Sequence, residues 1–172
     1  LFFSMLSVAL LAGTLVVLFA RMLYSRSTSA RSIVDAFAPW ALPLAAAVTT
    51  TCALGSLYFS EIVNYKPCIM CWYQRTMMYP LAVILIVAAL TKDKKVWRYA
   101  TPLAAIGIVF STYHWFLERF PNLDAGVCDA EVPCEFKWFE NFGFVTLPFM
   151  ALTGFLAVLV FTTLPNTQTE QS

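Results

Sequence analysis

The chain has 172 residues, 60% hydrophobic and 12% charged, with a formal net charge of +1. A soluble domain has about 45–50% apolar and about 25% charged residues, so an ordinary globular domain is excluded. The balanced charge also argues against a nucleic-acid partner and leaves a membrane protein.

Five apolar stretches are long enough to cross a bilayer, which takes roughly 20 residues each. They run Leu1–Ala20, Trp40–Ser60, Trp72–Leu90, Val96–Leu117 and Phe144–Leu164. The first is followed, not preceded, by Arg21, Arg26 and Arg31, which favours a retained span over a cleaved signal peptide. The connections are short and no internal repeat is visible. The predicted fold is all-α: one helical membrane domain.

Lys and Arg accumulate in loops on the cytoplasmic side. The connection after the first span carries Arg21, Arg26 and Arg31 against Asp35, and the one after the third carries Lys92, Lys94, Lys95 and Arg98 against Asp93. Both therefore read as cytoplasmic. The intervening Glu61–Cys71 connection and the acidic Glu118–Gly143 connection read as external. The expected topology is N-terminus outside, C-terminus inside.

Four cysteines then share the external side. Cys68 and Cys71 lie in "YKPCIMCWYQR", and Cys128 and Cys134 in "GVCDAEVPCEF". A fifth, Cys52, sits inside the second span and reads as a small packing residue. Disulfides persist outside the cytoplasm, so the pairs read as structural staples, a zinc site or a dithiol relay. A C-x-x-C bridge closes too short a loop to remove much chain entropy. Zinc needs a closed set of four ligands, which C-x₂-C with C-x₅-C could supply, but no ordered outer shell is evident in the sequence. Pro67 suits a helix start at or beside Cys68, placing Cys68, Cys71 and Arg75 on one helical face. A helix N-terminus and a nearby cation both favour thiolate. Arg75 is either a marker of a functional site or a side chain snorkelling to the headgroups.

The C-x-x-C at a helix start, its WYQR tail and the later external C-x₅-C resemble the bacterial disulfide-bond formation protein B (DsbB) family, most closely its Gram-positive, BdbC-like branch. The resemblance covers about Trp40 to Leu164. It implies a four-helix transmembrane bundle over 40–164, preceded by an extra transmembrane helix and basic cytoplasmic loop over 1–39 and followed by a cytoplasmic tail over 165–172.

The resemblance also implies an electron route in the bacterial cytoplasmic membrane. An extracytoplasmic thioredoxin-like, DsbA-type partner gives two electrons to Cys128–Cys134. Cys128 takes the mixed disulfide, and Cys134 passes electrons to Cys68. Cys71 faces a membrane quinone (menaquinone or ubiquinone), with Arg75 beside it. His114, in "STYHWFLERF", matches a family histidine placed near the quinone; its alternative reading is an interfacial side chain among Tyr113 and Trp115. Trp72, Tyr73, Trp97 and Tyr99 read as an aromatic belt in contact with membrane lipid. "EFKWFENFGF" reads as a short amphipathic turn on the outer membrane surface.

Three departures stand out. The loop cysteines are closer together than in the enterobacterial form, Gln74 replaces an acidic residue before the Arg, and the first span lies outside the family core. Two rivals remain at this point. Vitamin K epoxide reductase-like proteins place the loop pair before the C-x-x-C, the reverse of the order here. A non-catalytic membrane protein with staple disulfides is the other.

Overall fold

The computed structural model describes residues 1–93, 95–124, 126–128 and 132–164. Lys94, Asp129 and Glu131, used in the charge reading, and the tail over 165–172 lie outside the described residues.

The described residues form six α-helices: α1 Phe2–Met22, α2 Thr28–Phe37, α3 Ala41–Leu57, α4 Ile69–Thr91, α5 Trp97–Leu117 and α6 Leu147–Thr162. Among the described residues there is no strand, only an isolated bridge between Asn141 and Val145. Helices α3 to α6 form a closed ring in which each packs on the next and α6 returns to α3. Helix α1 stands outside the ring against α6, and α2 folds back on α1. The protein is an all-α membrane bundle of four helices with one additional N-terminal spanning helix.

The distribution of side-chain sizes explains the packing. Ala45, Ala82, Ala100, Ala104 and Ala157 are buried where helices meet, while Val16, Phe19, Val83, Val87 and Val109 are exposed on the outside. Lipid tails solvate the large side chains as well as a core would, so small residues go to the contacts. Two glycines are required by close approach. The Phe155 ring of α6 occupies the space a Cβ at Gly107 of α5 would need, and a Cβ at Gly154 would meet Cys52 Sγ at 2.8 Å. Cys52 therefore packs α3 against α6, in keeping with the packing role expected of it.

Two helices differ from the sequence reading. Helix α6 has 16 residues, because a tight turn with Phe142 and Gly143 at positive φ occupies the expected start. At 1.5 Å per residue it spans about 24 Å, a short crossing. Helix α2 lies in the basic connection after the first span, which is expected to be a loop. It forms because Ala30 and Val34 fall one turn apart and bury against α1.

Helices α1 and α6 run parallel. Asn141 Nδ2 donates to Ser4 Oγ at 2.8 Å at one end, and Arg21 Nη1 donates to Thr163 Oγ1 at 2.6 Å at the other. The start of α1 therefore lies beside the connection that carries Cys128 and Cys134.

Candidate redox site

The site is built around the start of α4. Cys68 is its N-cap, in extended conformation, and its sulfur accepts the Cys71 backbone N–H at 3.4 Å. The helix begins at Ile69, within one residue of the sequence expectation. Cys68 and Cys71 are free thiols with sulfurs 3.0 Å apart. The hydrogen bond from the Cys71 thiol, with further help from His114, holds the Cys68 thiol far below the usual range despite its burial.

Behind Cys68 stands His114 of α5. Its Nε2 lies 3.6 Å from Cys68 Sγ and 3.2 Å from the Cys134 carbonyl oxygen, and its Nδ1 lies 3.1 Å from Gln74 Nε2. An amide nitrogen can only donate, so Nδ1 accepts from Gln74 and the ring proton sits on Nε2, facing the carbonyl. Cys134 is joined to Cys128 in a disulfide, with Cα atoms 5.7 Å apart. Cys68, Met70, Leu117 and Cys134 are buried in one cluster, against which Cys71 and Cys128 pack partly exposed. His114 thus bridges the two cysteine pairs.

The other side of Cys71 opens on a cavity of about 280 Å³ between α1, α3, α4 and α6. Its walls are mostly apolar, while Cys71, Gln74, Arg75 and Ser56 make one region polar. Arg75 Nε donates to Ser56 Oγ at 2.9 Å and its Nη2 to the Ser56 carbonyl at 3.0 Å, tying α4 to the end of α3. The guanidinium also lies 5.2 Å from the Trp72 ring centroid. These contacts hold Arg75 inside the protein and not out among headgroups. A conjugated, mostly apolar ligand with polar oxygens fits such a lining: apolar walls for its body, Arg75 and Gln74 as donors to its oxygens.

Cys71 is shared by this cavity and a narrow space lined by Cys68, His114, Glu118 and Trp138. The structure therefore brings together Cys68, Cys71, Cys128, Cys134 and His114, and sets Arg75 across Cys71 from them. His114 lines the narrow space and not the large cavity. Cys68, Cys71 and His114 also offer three ligand atoms within 4.8 Å of one another; a closed structural zinc site takes four.

Three neighbours were not singled out as site residues from the sequence. In the sequence Gln74 stands out only as a departure from the enterobacterial pattern. Glu118, counted as a loop charge, is buried, and burial pushes its carboxyl up to about 7. Its position four residues after His114, on the same helical face, was the available signal. Trp138 lines both spaces and stacks on Tyr65 at 4.5 Å, and Tyr65 in turn stacks on Phe59 at 5.8 Å. This aromatic column holds the 135–144 segment over the site; no helix forms there.

A membrane-embedded helical bundle carrying one disulfide and one dithiol around a shared histidine defines a membrane disulfide oxidoreductase. Residues 38–164 match the family described as "Disulfide bond formation protein DsbB", and the chain belongs to that family. Similar curated proteins include "Disulfide bond formation protein C" of Bacillus subtilis, 41% identical over 131 residues covering 75% of this chain and 90% of that protein. "Probable disulfide formation protein C 1" of Bacillus cereus is 44% identical over 108 residues, 62% of this chain and 78% of that protein. "Probable disulfide formation protein C" of Halalkalibacterium halodurans is 45% identical over 111 residues, 64% and 81% respectively. These relatives place the chain in the BdbC-like branch. No solved structure matches it.

Proposed function

We propose that the protein reoxidises an extracytoplasmic thioredoxin-like, DsbA-type dithiol protein and delivers the two electrons to a membrane quinone, menaquinone or ubiquinone. The observation that carries this reading is the position of the C-x-x-C: Cys68 faces His114 and Cys134, while Cys71 opens on the cavity that holds Arg75.

The steps follow thiol–disulfide exchange. A partner thiolate attacks Cys128, the more exposed sulfur of the loop pair, and Cys134 departs as thiolate. The partner's second thiol resolves that mixed disulfide, leaving the partner oxidised and the loop pair reduced. With Cys68 and Cys71 joined, Cys134 attacks Cys68 and displaces Cys71. Cys128 then attacks Cys134 and releases Cys68. A thiolate of low pKa leaves faster, and the contacts that lower the Cys68 pKa serve this release. His114 Nε2, between Cys68 and the Cys134 carbonyl, is placed to exchange a proton at the Cys68 sulfur. A quinone supplies the acceptor for two electrons and two protons. Arg75 and Gln74 would hold it by its oxygens beside Cys71. The net change is a partner dithiol and a quinone converted to a partner disulfide and a quinol.

The basic connections after α1 and α4 support placing them in the cytoplasm, with the four cysteines outside the bacterial cytoplasmic membrane. Residues 40–164 would be the catalytic unit.

The test is stoichiometric. Purified protein given excess reduced thioredoxin-like dithiol should consume thiols beyond the single equivalent its own disulfide can oxidise only when quinone is present, with one quinone reduced per further disulfide formed. Dithiol oxidation that continues without quinone, or no oxidation with it, rejects the reading.

A further inference from the structure

We infer that α1, which lies outside the matched family region, is the access- and specificity-determining wall of the cavity at Cys71. This rests on the quinone reading above. One face of α1, Phe3, Leu6, Ser7 and Leu10, lines the cavity opposite α4. The spacing is that of a single helical stripe. Helices α3 and α6 supply the flanks, so without α1 the space between them would face lipid.

The stripe is fixed in place. Ser7 Oγ hydrogen-bonds Thr153 Oγ1 of α6 at 2.8 Å, buried. The Phe3 ring lies 5.3 Å from Phe59 and 6.0 Å from Tyr58. A Cβ at Gly55 of α3 would sit 3.6 Å from that same ring. Ser4 and Ser7 are buried on a helix that is apolar over most of its length. Polar side chains in a span face protein, and their partners hold the helix in register. An N-terminal membrane anchor needs neither buried serines nor a lining face. The narrow space on the His114 side contains no α1 residue. The wall therefore bears on the acceptor end of the relay and leaves the thiol-exchange end alone.

The closing experiment has a readout that does not depend on turnover. Wild-type protein is photolabelled with a radioactive azidoquinone, and the labelled peptides are mapped with and without excess unlabelled quinone. Label is expected in the Phe2–Met22 peptide, displaced by the competitor. In parallel, Ser7→Phe fills the wall position and Phe3→Ala opens it, with Val16→Phe on the lipid face of α1 as control. Overpacking at Ser7 should raise the quinone Kd and KM by roughly ten- to a hundredfold. Phe3→Ala should change the ratio of KM values for short- and long-chain quinones. Single-turnover oxidation of the dithiol partner by the loop disulfide, measured without quinone, should stay at the wild-type rate in all three.

If the wild type reduces quinone but α1 takes no displaceable label, the inference is overturned and the quinone reading stands. Normal quinone kinetics in both Ser7→Phe and Phe3→Ala have the same meaning. If the wild type reduces no quinone, the underlying reading itself fails. Should Ser7→Phe not fold, the labelling map and Phe3→Ala decide the matter.

Discussion

The side-chain amide of Gln74 meets Nδ1 of His114 at 3.1 Å, between α4 and α5, and so assigns the ring proton to Nε2. A carboxylate at this position, as in the enterobacterial form, could only accept, and would draw the proton to Nδ1. The residue before Arg75 therefore decides which histidine nitrogen carries hydrogen at the Cys68 sulfur.

Gln74→Glu tests this directly. His114 is the chain's one histidine, so ¹⁵N-histidine labelling gives a signal from a single ring. The wild type should show the Nε2–H tautomer and Gln74→Glu a protonated Nδ1. Identical nitrogen shifts in the two proteins would show that the amide does not set the tautomer.

Glu118 makes stability depend on pH. Its folded pKa of about 7 lies above its ordinary value of 4.5. Between those values the unfolded chain has released a proton that the folded chain keeps, so stability falls as pH rises through this window. The full penalty, on the order of 3 kcal/mol, is reached only above pH 7. Glu118→Gln removes it. The variant should melt at a higher temperature than wild type at pH 8 and match it at pH 4. A difference that is the same at both pH values contradicts the assignment.

Arg75→Ala should weaken quinone use by roughly 10- to 150-fold, the equivalent of losing a charge-assisted contact of about 1.5–3 kcal/mol. Arg75→Lys should recover only part of this, because an ammonium cannot reproduce the forked contact to Ser56. Exchange between the two cysteine pairs should persist in both variants. Wild-type kinetics in Arg75→Ala at limiting quinone would reduce Arg75 to a tie between α3 and α4.

With Cys134→Ser, Cys128 keeps its nucleophilic sulfur but has no partner within the loop. In the presence of an oxidised thioredoxin-like protein a mixed disulfide should accumulate on a non-reducing gel. Cys128→Ser should trap much less, since Cys134 is buried. Equal trapping by both variants would mean that burial does not select the entry sulfur.

Orientation can be read from two engineered cysteines. On intact cells an impermeant maleimide should label Asp124→Cys and spare Lys95→Cys. Both positions reacting alike would remove the shared external location of the four native cysteines.

Much of the architecture was legible because lipid imposes a simple code. The spanning helices Phe2–Met22, Ile69–Thr91 and Trp97–Leu117 were visible as long, mostly apolar runs with few charges. Helix α2 was not, since its formation depends on a surface that α1 presents. At the site, cysteine spacing and the Pro67 signal located the start of α4. The sequence did not tell on which side of Cys68 the His114 ring would fall, because that follows from the rotation of α5 within the ring, set in part by Phe155 against Gly107. Glu118 was set apart from its loop neighbours only by its spacing from His114, since its burial is a property of the assembled bundle.

In the proposed relay Cys68 holds two offices at once, as reacting sulfur and as the acceptor that closes the first turn of α4. Whenever that sulfur is bound to Cys134, its lone pairs are redirected and the Cys71 amide must find another acceptor. Under that relay each cycle would loosen and retighten one end of a membrane helix. The Cys71 amide becomes a backbone gauge of electron flow: its hydrogen exchange should quicken while the inter-pair disulfide is trapped and slow again once quinone drains the electrons.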